Sequence, residues 1–144
     1  MYKEDTSFTI KTGVENMSPK EVVNLLRQTV WAKDRKKEAI IKSLNHSICY
    51  GAFTKNGQQV GFARVITDYA THFYICDVVV KKEFRNKGIG RQLLKTITEN
   101  EDLKPLLGML ITENAEKFYE PFGFTKNPIC FMTRCWDQKV FCPL

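Results

Sequence analysis

Asp77-Val78-Val79-Val80-Lys81-Lys82-Glu83-Phe84-Arg85-Asn86-Lys87-Gly88-Ile89-Gly90-Arg91 is the stretch on which the reading of this chain turns. It opens on β-branched residues, crosses a short charged loop and reaches a turn holding two glycines. Apolar residues then recur at Ile89, Leu93, Leu94 and Ile97, the spacing of one helical face. The segment reads strand, loop, turn, helix, with the helix expected from about Gly88 to Asn100. A helix start leaves N–H groups without intrahelical acceptors, at the positive end of the helix dipole. Gly88 and Gly90 carry no side chain to keep an anion from that backbone. Lys81, Lys82, Arg85, Lys87 and Arg91 add positive charge around it. Residues Arg85, Asn86, Lys87, Gly88, Ile89, Gly90 and Arg91 therefore form a candidate phosphate or diphosphate cradle. It is neither a P-loop nor a dinucleotide fingerprint, because Gly-x-x-x-x-Gly-Lys-Ser/Thr and Gly-x-Gly-x-x-Gly are both missing; what stands is Arg85-x-x-Gly88-x-Gly90.

Upstream, Ser7 to Lys11 alternates polar and apolar residues as a strand does. Ser18-Pro19-Lys20-Glu21 is a helix start, with Ser as N-cap, Pro in the first turn and Glu at the capping-box position. A second helix is expected from Lys36 to Leu44, with Ala39, Ile40, Ile41 and Leu44 as its apolar face. Ile48 to Thr54 and Gln59 to Thr67 flank a tight turn, Lys55-Asn56-Gly57-Gln58. With His72 to Lys81 these runs make an antiparallel meander. Downstream, Leu106 to Thr112 reads as a short strand and Asn114 to about Glu120 as a helix stopped by Pro121. Phe124 to Arg134 resumes strand character. The order β-α-α-β-β-β-α-β-α-β is that of an α+β domain with a mixed, largely antiparallel sheet flanked by helices. No repeat or Pro/Gly/Ser-rich linker divides residues 1–144, so one domain is expected.

With 144 residues, 43% of them hydrophobic, the chain can build a full core and is not expected to be disordered. No apolar run approaches the roughly 20 residues of a membrane span, and Met1-Tyr2-Lys3-Glu4-Asp5-Thr6 lacks a signal peptide's apolar stretch. A soluble, cytoplasmic protein with no membrane partner is expected. Cys49, Cys76, Cys130, Cys135 and Cys142 form no Cys-x-x-Cys pair, and only His46 and His72 could join them. Buried, inert thiols and no metal are the expectation. The net charge of +6 raises nucleic acid as a rival partner, with Lys33, Arg35, Lys36 and Lys37 as a second basic cluster. Acidic residues interrupt both clusters, and no helix-turn-helix, RNA-binding aromatic motif or zinc finger accompanies them. The charge fits a polyanionic small ligand better.

The run from Val78 to Leu94 resembles the acetyl-CoA motif of the GNAT (GCN5-related) N-acetyltransferases. Asn114-Ala115-Glu116-Lys117-Phe118-Tyr119-Glu120-Pro121-Phe122-Gly123-Phe124 is similar to that family's A-x-x-F-Y-x-x-x-G-F segment. Trp31-Ala32-Lys33-Asp34-Arg35 and Gly61-Phe62-Ala63-Arg64-Val65-Ile66-Thr67-Asp68 resemble a small bacterial subgroup. The element order matches too, so the resemblance covers nearly the whole chain. It implies the GNAT acyl-CoA N-acyltransferase fold and transfer of acetyl from acetyl-CoA to a primary amine of a small molecule or peptide. It further implies that backbone amides from Arg85 to Gly90, with Arg91 at the rim, take the CoA diphosphate. Val78 and Val80 would lend main-chain groups to the thioester and pantetheine arm, with Asn114 and Phe118 also on the cofactor side. Members of this fold often pair through sheet edges or C-terminal strands, so a homodimer using Val140-Phe141-Cys142-Pro143-Leu144 is one expectation; a strap across the same domain is another. A relative that binds acetyl-CoA without transferring it is the alternative within the family.

Acetyl transfer needs a positioned thioester, an uncharged amine and a proton for the leaving thiolate. A bulge near Val78 to Val80 would free an N–H for the oxyanion. Tyr119 is the candidate proton donor, since a phenol of pKa about 10 is protonated at neutral pH. An alkyl amine is neutral in only about one molecule in 2,500 at pH 7, so a carboxylate base would help. Asp77, mid-strand among valines, is the candidate; pairing with a neighbour such as Arg64 is the alternative. Asp68 beside Tyr69-Ala70-Thr71 is ordinary turn chemistry. Trp31 and Arg35 follow the first helix, where an acceptor loop would lie, and Arg35 or Arg64 could hold a substrate carboxylate by a bidentate pair.

Overall fold

A computed structural model describes residues 7–134. Strand β1 (Phe8–Thr12) and helix α1 (Pro19–Arg27) are followed by α2 (Lys37–Leu44), β2 (Ile48–Thr54), β3 (Gln59–Thr67) and β4 (His72–Val80). Helix α3 (Ile89–Thr98), strand β5 (Leu107–Met109) and helix α4 (Glu116–Tyr119) complete it. One sheet carries all five strands in the order β1-β2-β3-β4-β5. The first three pairings are antiparallel and β4–β5 is parallel, the mixed, mostly antiparallel α+β sheet that the alternation of strand and helix signals predicts.

Local chemistry sets the helix and turn boundaries. Ser18 Oγ accepts the Glu21 N–H at 3.3 Å and Pro19 opens α1. The return arm of the capping box is absent, because Ser18 N–H is instead bonded to the side chain of buried Gln59 at 2.9 Å. In the β2–β3 hairpin Gly57 has a φ of 82° and its N–H is bonded to Thr54 C=O, the left-handed geometry glycine tolerates.

Two cores sandwich the sheet, one per face, as alternation along each strand requires. Ile89, Leu93, Leu94 and Ile97 of α3 pack with Tyr50, Ala52, Val60, Ala63, Val65, Phe73 and Ile75. Val22, Leu25, Leu26, Ile40 and Leu44 of α1 and α2 pack with Cys49, Phe53, Phe62 and Val79 on the other side. Ala39 is exposed, so the buried stripe of α2 is narrower than the sequence suggests.

The last third departs from the sequence reading. Residues 125–134 are exposed and carry no strand. Pro128 has no N–H to give a ladder, and Asn127 Oδ1 accepts the Ile129 N–H at 3.0 Å, bending the chain. Strand β5 keeps three residues, because beyond Met109 it has no ladder with β4. Helix α4 starts at Glu116 rather than Asn114; Thr112 Oγ1 takes the Ala115 N–H at 3.0 Å just ahead of it. Cys135, Cys142 and the tail Val140 to Leu144 lie outside the described residues.

Candidate active site

The glycine turn curls tightly into α3. Asn86 and Gly88 both have positive φ, 61° and 81°, so the chain curls before α3 begins. The first α3 hydrogen bond runs from Gln92 N–H to Gly88 C=O at 3.0 Å, leaving the first-turn N–H groups ahead of the ladder. At Gly88 an added Cβ would meet nothing within 4 Å; what demands glycine there is φ. At Gly90 the reason is size. A Cβ would approach Phe118 Cζ to 3.2 Å, so Gly90 seats α4's aromatic ring against the turn.

The basic residues of the turn are only partly free for a ligand. Lys87 Nζ lies 5.2 Å from the centre of the Phe84 ring, and Arg85 Nε donates to Val80 C=O at 3.1 Å. Arg91 stands on the exposed rim of α3.

Strand β4 supplies the second component. It pairs with β5 only from His72 to Tyr74, so the two strands have no ladder between them over the rest of β4. Between the pairs Phe62–Val79 and Arg64–Cys76 one β3 residue faces two of β4, and Asp77 at this bulge has a φ of 58°. A non-glycine residue in that region carries strain, though Asp is among those that tolerate it best. Lys81 N–H is bonded to Val60 C=O on β3; by strand alternation the N–H groups of Val78 and Val80 face the opposite, open edge.

Tyr119 and Phe118 belong to α4 and pack on the α3-side core together with Val78 and Val80. Their rings meet edge to face at 4.9 Å, and Phe124 lies 6.2 Å from Tyr119. Burial pushes the Tyr119 phenol above its ordinary range. Its hydroxyl has no hydrogen-bond partner among the described residues. Asn114 is exposed ahead of α4.

On the opposite sheet face, the bulge turns Asp77 onto two arginines. Asp77 Oδ2 accepts Arg35 Nη1 at 2.8 Å and Arg64 Nε at 3.0 Å, with the Asp77 side chain 2% exposed. Asp77 is thus paired with Arg64, as the sequence alternative has it, and with Arg35 as well. Arg64 is locked further by Nη1 to Ser47 Oγ at 3.0 Å. Arg35 sits on the α1–α2 loop, which sequence reading places here but does not explain. Its conformation comes from Arg27, whose Nη1 donates to the carbonyls of Lys33 and Arg35, each at 2.6 Å. Gln28 Oε1 accepts the Lys82 N–H at 3.3 Å and ties the loop's start to the segment just after β4. Neither Arg27 nor Gln28 belongs to a motif; only their position at a helix end hinted at loop contacts. Trp31 remains 41% exposed on the same loop.

The remaining predicted features are structural. Asp68 closes the β3–β4 turn by accepting N–H groups of Ala70 and Thr71 and the Thr71 hydroxyl, which hold its carboxyl well below the usual range. Burial pushes the Cys49 thiol up to about 11 and the Cys76 thiol up to about 12. Cys130 is exposed, so the inert-core reading fails for it. No helix among the described residues is long and apolar enough to cross a membrane.

A family model described as an acetyltransferase (GNAT) domain matches residues 45–126. A crystal structure from Xanthomonas campestris, provisionally assigned to the gnat family of acetyltransferases, is 35% identical. It superposes with a TM-score of 0.83 over 89% of this chain and 92% of the other. An uncharacterised N-acetyltransferase of Pyropia yezoensis is 28% identical over 79% of this chain and 68% of its own. A Gibberella zeae protein provisionally named an acetyltransferase is 34% identical over 86 residues, 48% of this chain and 49% of that protein. The match thus spans about half the length of the Gibberella relative.

Proposed function

The chain belongs to the GNAT family of acetyl-CoA-dependent N-acetyltransferases, and from that premise we infer that it acetylates a primary amine by direct attack on the thioester. The observation that carries this reading is the departure of β4 from β5 beside the first turn of α3. It leaves main-chain N–H groups of Val78 and Val80 turned to an open edge, with the Val80 side chain close to Gly90 of the turn.

These residues fit the cosubstrate. Backbone amides at the start of α3, with Arg91 at the rim, would take the diphosphate. Val78 and Val80 N–H would hold the pantetheine arm and acyl oxygen, and Phe118 would close the wall near Gly90. When bound, acetyl-CoA supplies the acyl group, and its sulfur leaves as the free thiol after accepting a proton that the amine gives up. Tyr119 keeps its proton at neutral pH, as a phenol of pKa about 10 does, and burial holds the proton more firmly still. Facing a thiolate of pKa about 8.5, it is better suited to donate a hydrogen bond to sulfur than to surrender the proton outright. Asp77 acts as a positioning residue that holds Arg35 and Arg64 at the acceptor side.

Calorimetry with acetyl-CoA, coupled to thiol release across an amine panel, tests this. Saturable cofactor binding with amine-dependent thiol release is expected. Tight duplex-DNA binding without cofactor binding would overturn the reading.

A further inference from the structure

The Arg35–Asp77–Arg64 cluster is unbalanced: two guanidinium charges meet one carboxylate. The two arginines are not equivalent. Arg64 is 11% exposed and divides its donors between Asp77 and Ser47. Arg35 is 29% exposed and commits only Nη1 of its side chain among the described residues. The rest of its fork makes no hydrogen bond among the described residues, while Asp77 holds Nη1 and Arg27 holds the Arg35 carbonyl. The surrounding segment, Lys33-Asp34-Arg35-Lys36-Lys37-Glu38, has four cations against two anions. A pre-aimed guanidinium in a positive local field is suited to bind a planar anion through two parallel hydrogen bonds.

Its position relative to the chemistry follows from the bulge. Asp77 directly precedes Val78, so the guanidinium that touches the Asp77 carboxylate stands within about 10 Å of the Val78 N–H, given about 3.8 Å between neighbouring Cα atoms. That distance matches a molecule with an amine and a carboxylate a few bonds apart. The planar fork offers two parallel donors, which a flat carboxylate matches.

We propose that Arg35, held by Asp77 and Arg64, binds a carboxylate of the acceptor, so that the substrate is a small amino acid rather than a simple amine. This rests on the transferase reading above and narrows its substrate class. It also gives the buried Asp77 a purpose: without it, Arg35 would lose its direction and Arg64 its buried partner.

The test compares α-, β- and γ-amino acids with their carboxamides and with amino-phosphates, by thiol release at fixed acetyl-CoA and pH. The carboxamides keep more neutral amine at neutral pH, so a preference for the acids runs against intrinsic reactivity. At least one acid is expected to exceed its carboxamide by about 100-fold in kcat/KM, the order expected for a lost charge pair. Arg35→Gln should abolish that preference, raising KM for the acid by far more than it changes the rate on the carboxamide; Arg35→Lys should restore part of it. Equal use of acids and carboxamides, a preference for amino-phosphates, or an equal loss on both substrates in Arg35→Gln would overturn the proposal. So would a panel on which neutral amines react and no acid does. Acetyl-CoA calorimetry on the same samples separates the two readings: failure of cofactor binding defeats the transferase assignment itself, whereas normal binding with no acid selectivity defeats only this inference.

Discussion

Replacing Asp77 by Asn probes the Arg35–Asp77–Arg64 cluster. The wild-type carboxylate is 2% exposed and holds two guanidiniums at 2.8 and 3.0 Å. The shorter contact is not the stronger in its effect on stability. Arg35 is 29% exposed, so water and salt screen its pair, and a coupling of about 0.5–1 kcal/mol is expected. Arg64 is 11% exposed, and removing a partner from a nearly buried pair costs about 3–5 kcal/mol. Asn keeps one neutral acceptor, which offsets part of that, so a total loss of about 2–4 kcal/mol follows. For a chain of this size each kcal/mol lowers Tm by about 3 °C, giving a fall of about 6–12 °C. The assay is urea unfolding of Asp77→Asn, Arg35→Gln, Arg64→Gln and the two double variants, from which coupling energies are read. The Arg64–Asp77 coupling should exceed that of Arg35–Asp77 by more than 1 kcal/mol. Equal couplings, or a loss below about 0.5 kcal/mol in Asp77→Asn, would refute the argument that burial rather than distance sets the strength. Activity supplies a second check: the ratio of Asp77→Asn to wild type should be flat across pH, whereas a loss concentrated at low pH would restore Asp77 as a base.

Three further outcomes are expected. Gly88→Ala places a Cβ at a φ of 81° in open space, so it should cost about 1–2 kcal/mol of stability through backbone strain alone and weaken acetyl-CoA binding, both read by urea unfolding and calorimetry. Tyr119→Phe should lower kcat by about 100-fold while cofactor affinity holds within about two-fold; unchanged turnover would remove Tyr119 from the chemistry. Cys49 and Cys76 have folded-state values raised from 9.0 to about 11 and about 12. The unfolded chain therefore loses these protons first, and the stability they contribute is full below pH 9 and is lost as pH rises to about 12. Urea midpoints should fall between pH 8 and 10.5, less steeply in Cys49→Ala, and native labelling with iodoacetamide should modify Cys130 and spare Cys49 and Cys76.

The parts of the fold legible in the sequence are those written in local chemistry. The Ser18-Pro19 start, the Gly57 hairpin and the Ile89 to Ile97 stripe each encode their own geometry within a few residues. The Arg85 to Gly90 turn is legible for the same reason: glycine just ahead of an apolar helical stripe encodes the left-handed curl seen at Gly88. The strand reading of Phe124 to Arg134 failed because a strand is defined by a partner backbone, and apolar residues alone do not supply one.

Tertiary structure alone decided the bulge at Asp77 and everything that depends on it. Nothing in Cys76-Asp77-Val78 announces an extra residue; it becomes visible only when β4 is laid against β3 and the register slips. That slip turns Asp77 onto the face where Arg35 and Arg64 wait, 42 and 13 residues away in sequence. The chain by itself named all three residues and left their relation open between catalysis and pairing. Which of them spend their hydrogen bonds on one another, and how far each stays exposed, is a property of distance and burial, and those exist only once the sheet and its two helical layers have closed around them.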